Sequence, residues 1–362
     1  MAESQFALPS PAFDSISRVK YSPTNPNQLL VSSWDTTVKL YDVGDDASGS
    51  KTSEQKCKFD HRAAVLACCF SDAEHGFSGG LDTTVRFLDF GSEKTNVVGS
   101  HFDAVSSMVY SKNLNALISA SWDRTLRLFD PRAATPEQSS HENPERIYHI
   151  DLVNNTLVVA MASRLFHIYD IRNMQEPSQQ RESSLKYMTR SLACMVNGEG
   201  YATASVEGRI AVEYFDPSPG AQEKKYAFKC HRQTIDGVDH VWPVNALAFH
   251  PLYVTYSHRS MFLNPKYPVT LTFSVSYNTF ASAGSDGTVS VWDHKIKKRL
   301  RQYPKFNNPV SSVSFNCDGT KLAIASCYTW DEGEQGARME RERPQVWIKT
   351  VGPEVKPKDW QG

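Results

Sequence analysis

The sequence predicts an all-β chain folded as a single seven-bladed WD-repeat propeller, its ring closed by an N-terminal strand. Three observations carry this prediction. A short run ending in an apolar or aromatic residue followed by Asp recurs along the chain. A compact turn bearing Asp or Gly precedes most of these runs. Long stretches of helical periodicity are absent.

The recurring runs occupy residues 38–42, 85–89, 126–130, 165–170, 212–216 and 289–293. Several alternate apolar with polar residues, the period of a strand with one face buried. Their closing residues, Asp42, Asp89, Asp130, Asp170, Asp216 and Asp293, lie 47, 41, 40, 46 and 77 positions apart. The first four intervals sit near the roughly 40–45 residues of a WD repeat, which builds one four-stranded blade.

The turns are Ser33-Trp34-Asp35, Gly80-Leu81-Asp82, Ser121-Trp122-Asp123 and Gly284-Ser285-Asp286, with Glu207-Gly208 in that place in the fifth repeat. Asp and Gly suit such a turn because both tolerate left-handed backbone and Asp bonds to nearby amides. His61 and His101 stand where the chain enters a new blade. They are expected to be buried structural imidazoles bonded to the turn Asp, not catalytic groups.

The six runs, together with residues 310–315, 321–325 and 345–350, make seven blades, and residues 5–8 supply the strand that the last blade lacks. Such closure removes exposed sheet edges. By length alone, 362 residues imply about two domains. The repeats replace these with one ring over residues 1–362.

The sixth repeat is too long. From the end of its first strand to the turn residue, Phe249 to Asp286, there are 37 positions, against 13 from Tyr110 to Asp123. Removing residues 254–277 restores the normal spacing. The extra segment has no acidic residue and carries Phe262, Tyr267, Leu271 and Phe273, a composition poorly suited to a solvated loop. It is either a lineage-specific hairpin or a retained intron translated in frame, and the clean rejoining of its flanks favours the second.

With 39 basic and 40 acidic residues and a net charge of −1, the chain lacks the basic excess of proteins that wrap polyanions, so no direct nucleic-acid binding is expected. The seven cysteines are irregularly spaced without a Cys-x-x-Cys pair, which argues against a disulfide framework or zinc site and for reduced intracellular thiols. Neither a leader-like start nor an apolar stretch near the ~20 residues of a membrane span is visible, so no membrane association is expected. No Gly-x-Ser-x-Gly, phosphate-loop or His-Glu-x-x-His motif occurs. The expectation is a non-enzymatic protein without metal or cofactor, a propeller enzyme being the disfavoured alternative.

Binding residues are sought where side chains are wasteful for folding. Trp34 and Trp122 occupy turn positions where Ser285 suffices in the sixth repeat. On position alone each either caps its own blade or anchors a partner. Arg209 follows the fifth turn, where a guanidinium can grip a partner carboxylate with two parallel bonds. Residues 224–232 gather Lys224, Lys225, Lys229, His231 and Arg232, either a solvated strand edge or a phosphate site.

Three stretches carry a family resemblance. The run from Arg181-Glu182-Ser183-Ser184-Leu185-Lys186-Tyr187 to Met188-Thr189-Arg190, the run Glu207-Gly208-Arg209-Ile210-Ala211-Val212-Glu213-Tyr214, and the run Tyr226-Ala227-Phe228-Lys229-Cys230-His231-Arg232 closely resemble the mitotic checkpoint propellers of the Bub-three type. The likeness spans essentially the whole chain outside the 24-residue excess. It implies a kinetochore adaptor of the spindle assembly checkpoint, located in the nucleus and at kinetochores in mitosis. Such an adaptor binds GLEBS segments of a checkpoint kinase and its pseudokinase-like relative, as a monomeric subunit of a hetero-complex. Carried over by motif, Trp34, Trp122 and Arg209 form the GLEBS surface. Lys229 and Arg232 are the candidates for phosphorylated Met-Glu-Leu-Thr repeats of a kinetochore scaffold. The sister family, the mRNA-export propellers that bind a nucleoporin GLEBS segment, shares the Glu-Gly-Arg and Lys-Cys-His-Arg elements and is the alternative reading.

Overall fold

The computed structural model describes residues 5–45, 51–251, 253–260, 269–337 and 342–357, with 253–260 and 269–276 described by backbone alone. Seven four-stranded antiparallel sheets stand around an axis. Their innermost strands are Ile16–Tyr21, Val65–Phe70, Val105–Ser111, Ile147–Val153, Thr189–Cys194, Val244–Phe249 and Val310–Phe315, which begin blades one to seven. Each packs against the next, and the seventh returns to the first. Gln5–Ala7 pairs with Gln345–Thr350 to complete blade seven, in the register Gln5↔Lys349 and Ala7↔Trp347. The ring is closed as the sequence predicts.

The Asp-ending runs are the third strands of the first six blades, not the outermost. A fourth strand follows in the first six blades, such as Lys51–Asp60, Glu137–Glu142 or Lys298–Gln302. These perimeter strands leave little of their surface buried, and Glu137–Glu142 has no fully buried residue. They therefore carry no apolar run that would announce them.

The core lies between the blades. Leu30, Val38, Leu40 and Phe59 of blade one pack on Val65, Cys68, Phe70 and Leu88 of blade two. The ring-closing interface joins Ile16, Val19, Leu29 and Val31 to Ala323, Ala325, Val346 and Ile348 of blade seven. All seven cysteines are free, and six of them are buried. Burial in apolar surroundings explains them without redox chemistry.

In the turns, it is the residue after Asp that adopts left-handed backbone: Thr36, Thr83, Arg124 and Gly287, with Gly208 in blade five. The Asp carboxylate stays behind to accept the amide two residues on, from Thr37 (3.0 Å), Thr84 (3.2 Å), Thr125 (2.8 Å) and Thr288 (3.0 Å). Gly208 is required in its place, because an added Cβ would come 2.7 Å from the Cys230 carbonyl oxygen.

Blade six is built from Val244–Phe249, Thr279–Gly284, Val289–Asp293 and Lys298–Gln302. Among the described residues Tyr253–Ser260 and Val269–Ser276 pair only with each other, as a separate two-stranded sheet between the first two strands of that blade. A second added hairpin, Arg232–Ile235 with Val238–Val241, precedes the blade.

Candidate peptide-binding face

Every innermost strand carries a register shift at the same place: between Ile16 and Arg18, Val65 and Ala67, Val105 and Ser107, Ile147 and His149, Thr189 and Ser191, Val244 and Ala246, and Val310 and Ser312. A bulge turns its extra residue out of the ladder. The seven residues so placed are Ser17, Leu66, Ser106, Tyr148, Arg190, Asn245 and Ser311, and all seven line a cavity of 680 Å³ at the mouth of the central channel. Trp34, Trp122, Met188, Tyr328 and Trp330 form its aromatic and apolar upper wall. Trp34 is 44% exposed and Trp330 51%. A cavity of this size, with aromatic walls and a few convergent polar groups, has the character of a ligand site.

Trp34 and Trp122 therefore share one cavity, but Arg209 does not line it. Its position follows from register. Across blade five, Thr189 pairs with Ser205, Ser205 with Arg209, and Arg209 with Lys229. Thr189 lines the cavity. At the usual strand spacing, Arg209 stands about 10 Å outward and Lys229 about 14 Å. Val206 donates its N–H to the Met188 carbonyl at 3.2 Å, which ties the turn ahead of Arg209 to the cavity wall. Arg209 Nε lies 3.5 Å from the Glu207 carboxylate.

Arg232 reaches back to the same turn. It donates through Nη2 to the Glu207 carbonyl at 2.6 Å and through Nε to that of Gly208 at 3.4 Å. Arg209, Lys229 and Arg232 thus form one basic group around the Glu207–Gly208 turn. Lys229 is its exposed member.

The histidines near these turns are structural. His61 Nδ1 lies 3.1 Å from the Asp82 carboxylate and Nε2 lies 2.7 Å from Ser78 Oγ. His101 repeats this with Asp123 at 3.1 Å and Ser119 at 2.7 Å. His231, in the middle of the basic run, does the same with Asp286 and Ser282, both at 2.9 Å. Burial works against ionisation of these aspartates, but the histidine and threonine hydrogen bonds outweigh it and hold Asp82, Asp123 and Asp286 below the usual carboxylate range. Among the described residues no group of three or more His, Cys, Asp or Glu is arranged to hold a metal.

The WD domain, G-beta repeat family model matches residues 6–42, 92–130 and 260–293. The mitotic checkpoint protein BUB3.1 of Arabidopsis thaliana is 45% identical over 97% of this chain and 94% of its own length. The mitotic checkpoint protein bub3 of Dictyostelium discoideum is 41% identical over 96% and 94%. The chain belongs to the Bub3 family. The mRNA export factor GLE2 of Chaetomium thermophilum, 32% identical over 97% and 92%, represents the sister family.

For this Bub3-family chain, sequence reasoning named two tryptophans that line the cavity and a basic group that lies outside it, but missed most of the cavity. Trp330 and Tyr328 come from the loop after the second strand of blade seven, and Tyr148, Asn245 and Arg190 are bulge residues. A bulge shifts side-chain direction by one position, which alternation within a single strand does not reveal. Aligning the seven inner strands on one another is the signal that exposes them.

Proposed function

We propose that this protein is a spindle-checkpoint adaptor at kinetochores that takes a GLEBS segment of a checkpoint kinase across the cavity and along blade five, and binds a phosphorylated scaffold repeat at the basic group. The observation that carries this reading is that Trp34 and Trp122, from blades one and three, wall the same 680 Å³ cavity. Aromatic anchors around a desolvated pocket are the usual energetic centre of an interface. An extended peptide leaving the cavity rises about 3.3 Å per residue, so three further residues bring an acidic side chain over Arg209. Lys229 then lies one strand beyond, at the perimeter, where a phosphate stays solvent-accessible until bound. The greater identity to checkpoint relatives than to export relatives favours the kinase over a nucleoporin as the source of the segment.

The test is calorimetric titration of the full chain with kinase and nucleoporin GLEBS peptides, repeated with Trp34→Ala, Trp122→Ala and Arg209→Glu. The reading requires binding of the kinase peptide and its loss in each variant. Unchanged affinity in all three defeats the assignment. Affinity purification from mitotic cells, with and without phosphatase, separates the constitutive partner from the phosphate-dependent one.

A further inference from the structure

Three arginines stand in or near the candidate groove, and two of them already face carboxylates. Arg209 lies against Glu207, and Arg190 Nη2 is 3.7 Å from Asp331. Arg18 differs. It is one step below the bulge residue Ser17 on the innermost strand of blade one, and it lines the cavity. Its side-chain partner is a ring nitrogen: Nη1 lies 3.4 Å from Nε2 of His149, which is one step below the bulge of blade four. Among the described residues Arg18 forms no ion pair with a carboxylate. Asp151, the carboxylate whose field it feels, is engaged in accepting the Cys194 N–H at 2.6 Å.

A guanidinium presents five N–H donors in a planar fork, and one neutral imidazole uses little of that capacity. His149 is held neutral, because burial and the nearby Arg18 and Lys20 cations push its pKa well below the ordinary value. The deep end of the cavity therefore carries the Arg18 guanidinium beside a neutral imidazole, while its other wall is aromatic and apolar. An occupant that matches both is a peptide whose apolar residues rest on Trp34, Trp122 and Trp330 while an acidic side chain points down the axis.

We propose that Arg18 is the acceptor for one glutamate or aspartate of the docked segment, a second carboxylate site distinct from Arg209 and set deeper in the channel. This rests on the docking reading given above. The fork of Arg18 fits a carboxylate with two parallel hydrogen bonds, and the enclosed position protects the pair from salt. Leaving one such charge without its partner weakens binding by about 30-fold or more.

The experiment is a double-mutant cycle by calorimetry on the full chain. Wild type and Arg18→Gln are titrated with the kinase GLEBS peptide and with peptides in which each Glu and Asp is neutralised in turn. The expected result is that Arg18→Gln and one particular Glu→Gln or Asp→Asn peptide each lose about 30-fold or more, and that combining them adds little further loss. If every peptide substitution costs the same in Arg18→Gln as in wild type, Arg18 is not the acceptor. With Trp34→Ala still weakening binding, that result overturns this inference and leaves the docking reading standing. If Trp34→Ala and Trp122→Ala are also without effect, both fall. Arg18→Met, which fills the same space without charge, runs the same cycle should Arg18→Gln fail to fold.

Discussion

His231 and Asp286 meet at 2.9 Å although 55 positions separate them in the chain. Between them lie two added hairpins, Arg232–Val241 and the segment beginning at Tyr253. In blades two and three the same contact spans 21 and 22 positions. The imidazole also reaches Ser282 Oγ at 2.9 Å, which accepts Trp292 Nε1–H at 2.9 Å. This network fixes the entry of blade six regardless of what is inserted. His231→Ala leaves Asp286 and Ser282 short of a partner in a buried place, and it should cost about 1–3 kcal/mol in urea unfolding. A variant as stable as wild type would remove His231 from the structural set and return it to the basic site.

Arg232 and Lys229 should behave differently when truncated. The Arg232 guanidinium holds the carbonyls of Glu207 and Gly208, and so positions Arg209 as well. Arg232→Ala is therefore expected to weaken both the GLEBS peptide and the phosphopeptide. Lys229→Ala touches no turn and should weaken only the phosphopeptide, by about tenfold or more for a charged hydrogen bond. Raising the salt concentration should shrink the Lys229 effect, because the side chain is exposed. Equal effects of the two variants on both peptides would refute this division of labour.

These contrasts mark how far the sequence alone could be read. Runs such as that at 126–130 and the turn at Ser121-Trp122-Asp123 have strong local chemistry, so blades one to six and the N-terminal closure were legible. The perimeter strands were not, since half-exposed polar residues leave no apolar pattern. Trp34 and Trp122 stood out because a large aromatic is unnecessary in a tight turn. Arg18 and Tyr148 did not, because their aim depends on a bulge and on the meeting of blades one and four across the axis. Arg232 read in the sequence as a candidate contact for the phosphorylated repeat, and its bonds to the Glu207–Gly208 turn add a positioning task.

Acidification should destabilise the ring in two stages. His149, His250 and His294 are buried, and burial lowers their pKa values below the ordinary one; the Arg18 and Lys20 cations add to this at His149, while Asp318 beside His250 and Asp293 and Glu199 beside His294 oppose it without reversing it. The unfolded chain takes up protons near pH 6.5 that the folded chain refuses, so stability falls as the pH drops below about 6.5, by up to about 1.4 kcal/mol per pH unit for each histidine still neutral. Asp82, Asp123 and Asp286 act lower. Their folded pKa values are depressed, so their contribution is complete above the unfolded value near 4 and is lost as the pH falls toward the folded ones. Melting temperatures from pH 8 to 3 should therefore decline first below about 6.5 and again below about 4. His149→Gln should shallow the first decline, and a flat profile between pH 7 and 5 would contradict it.

Removing residues 254–277 should have little consequence for blade six. The ladder that defines the blade runs from Val244↔Gly284 to Phe249↔Phe280 and does not use the added sheet. Tyr277 is buried and packs its ring 5.1 Å from His250, just before Asn278, which holds a left-handed turn. Joining Tyr253 directly to Asn278 places another tyrosine in that position, so the ring on His250 is replaced in kind. The shortened chain of 338 residues should unfold cooperatively with a melting temperature at or above that of the full chain, because the blade-six ladder is complete without the added pair and a segment of this apolar composition adds aggregation risk. Loss of a cooperative transition would show instead that the hairpin supports the blade. On the retained-intron reading, peptide mass spectrometry of protein from its native source should detect no tryptic peptide from 260–266, and finding one would establish that the segment is translated.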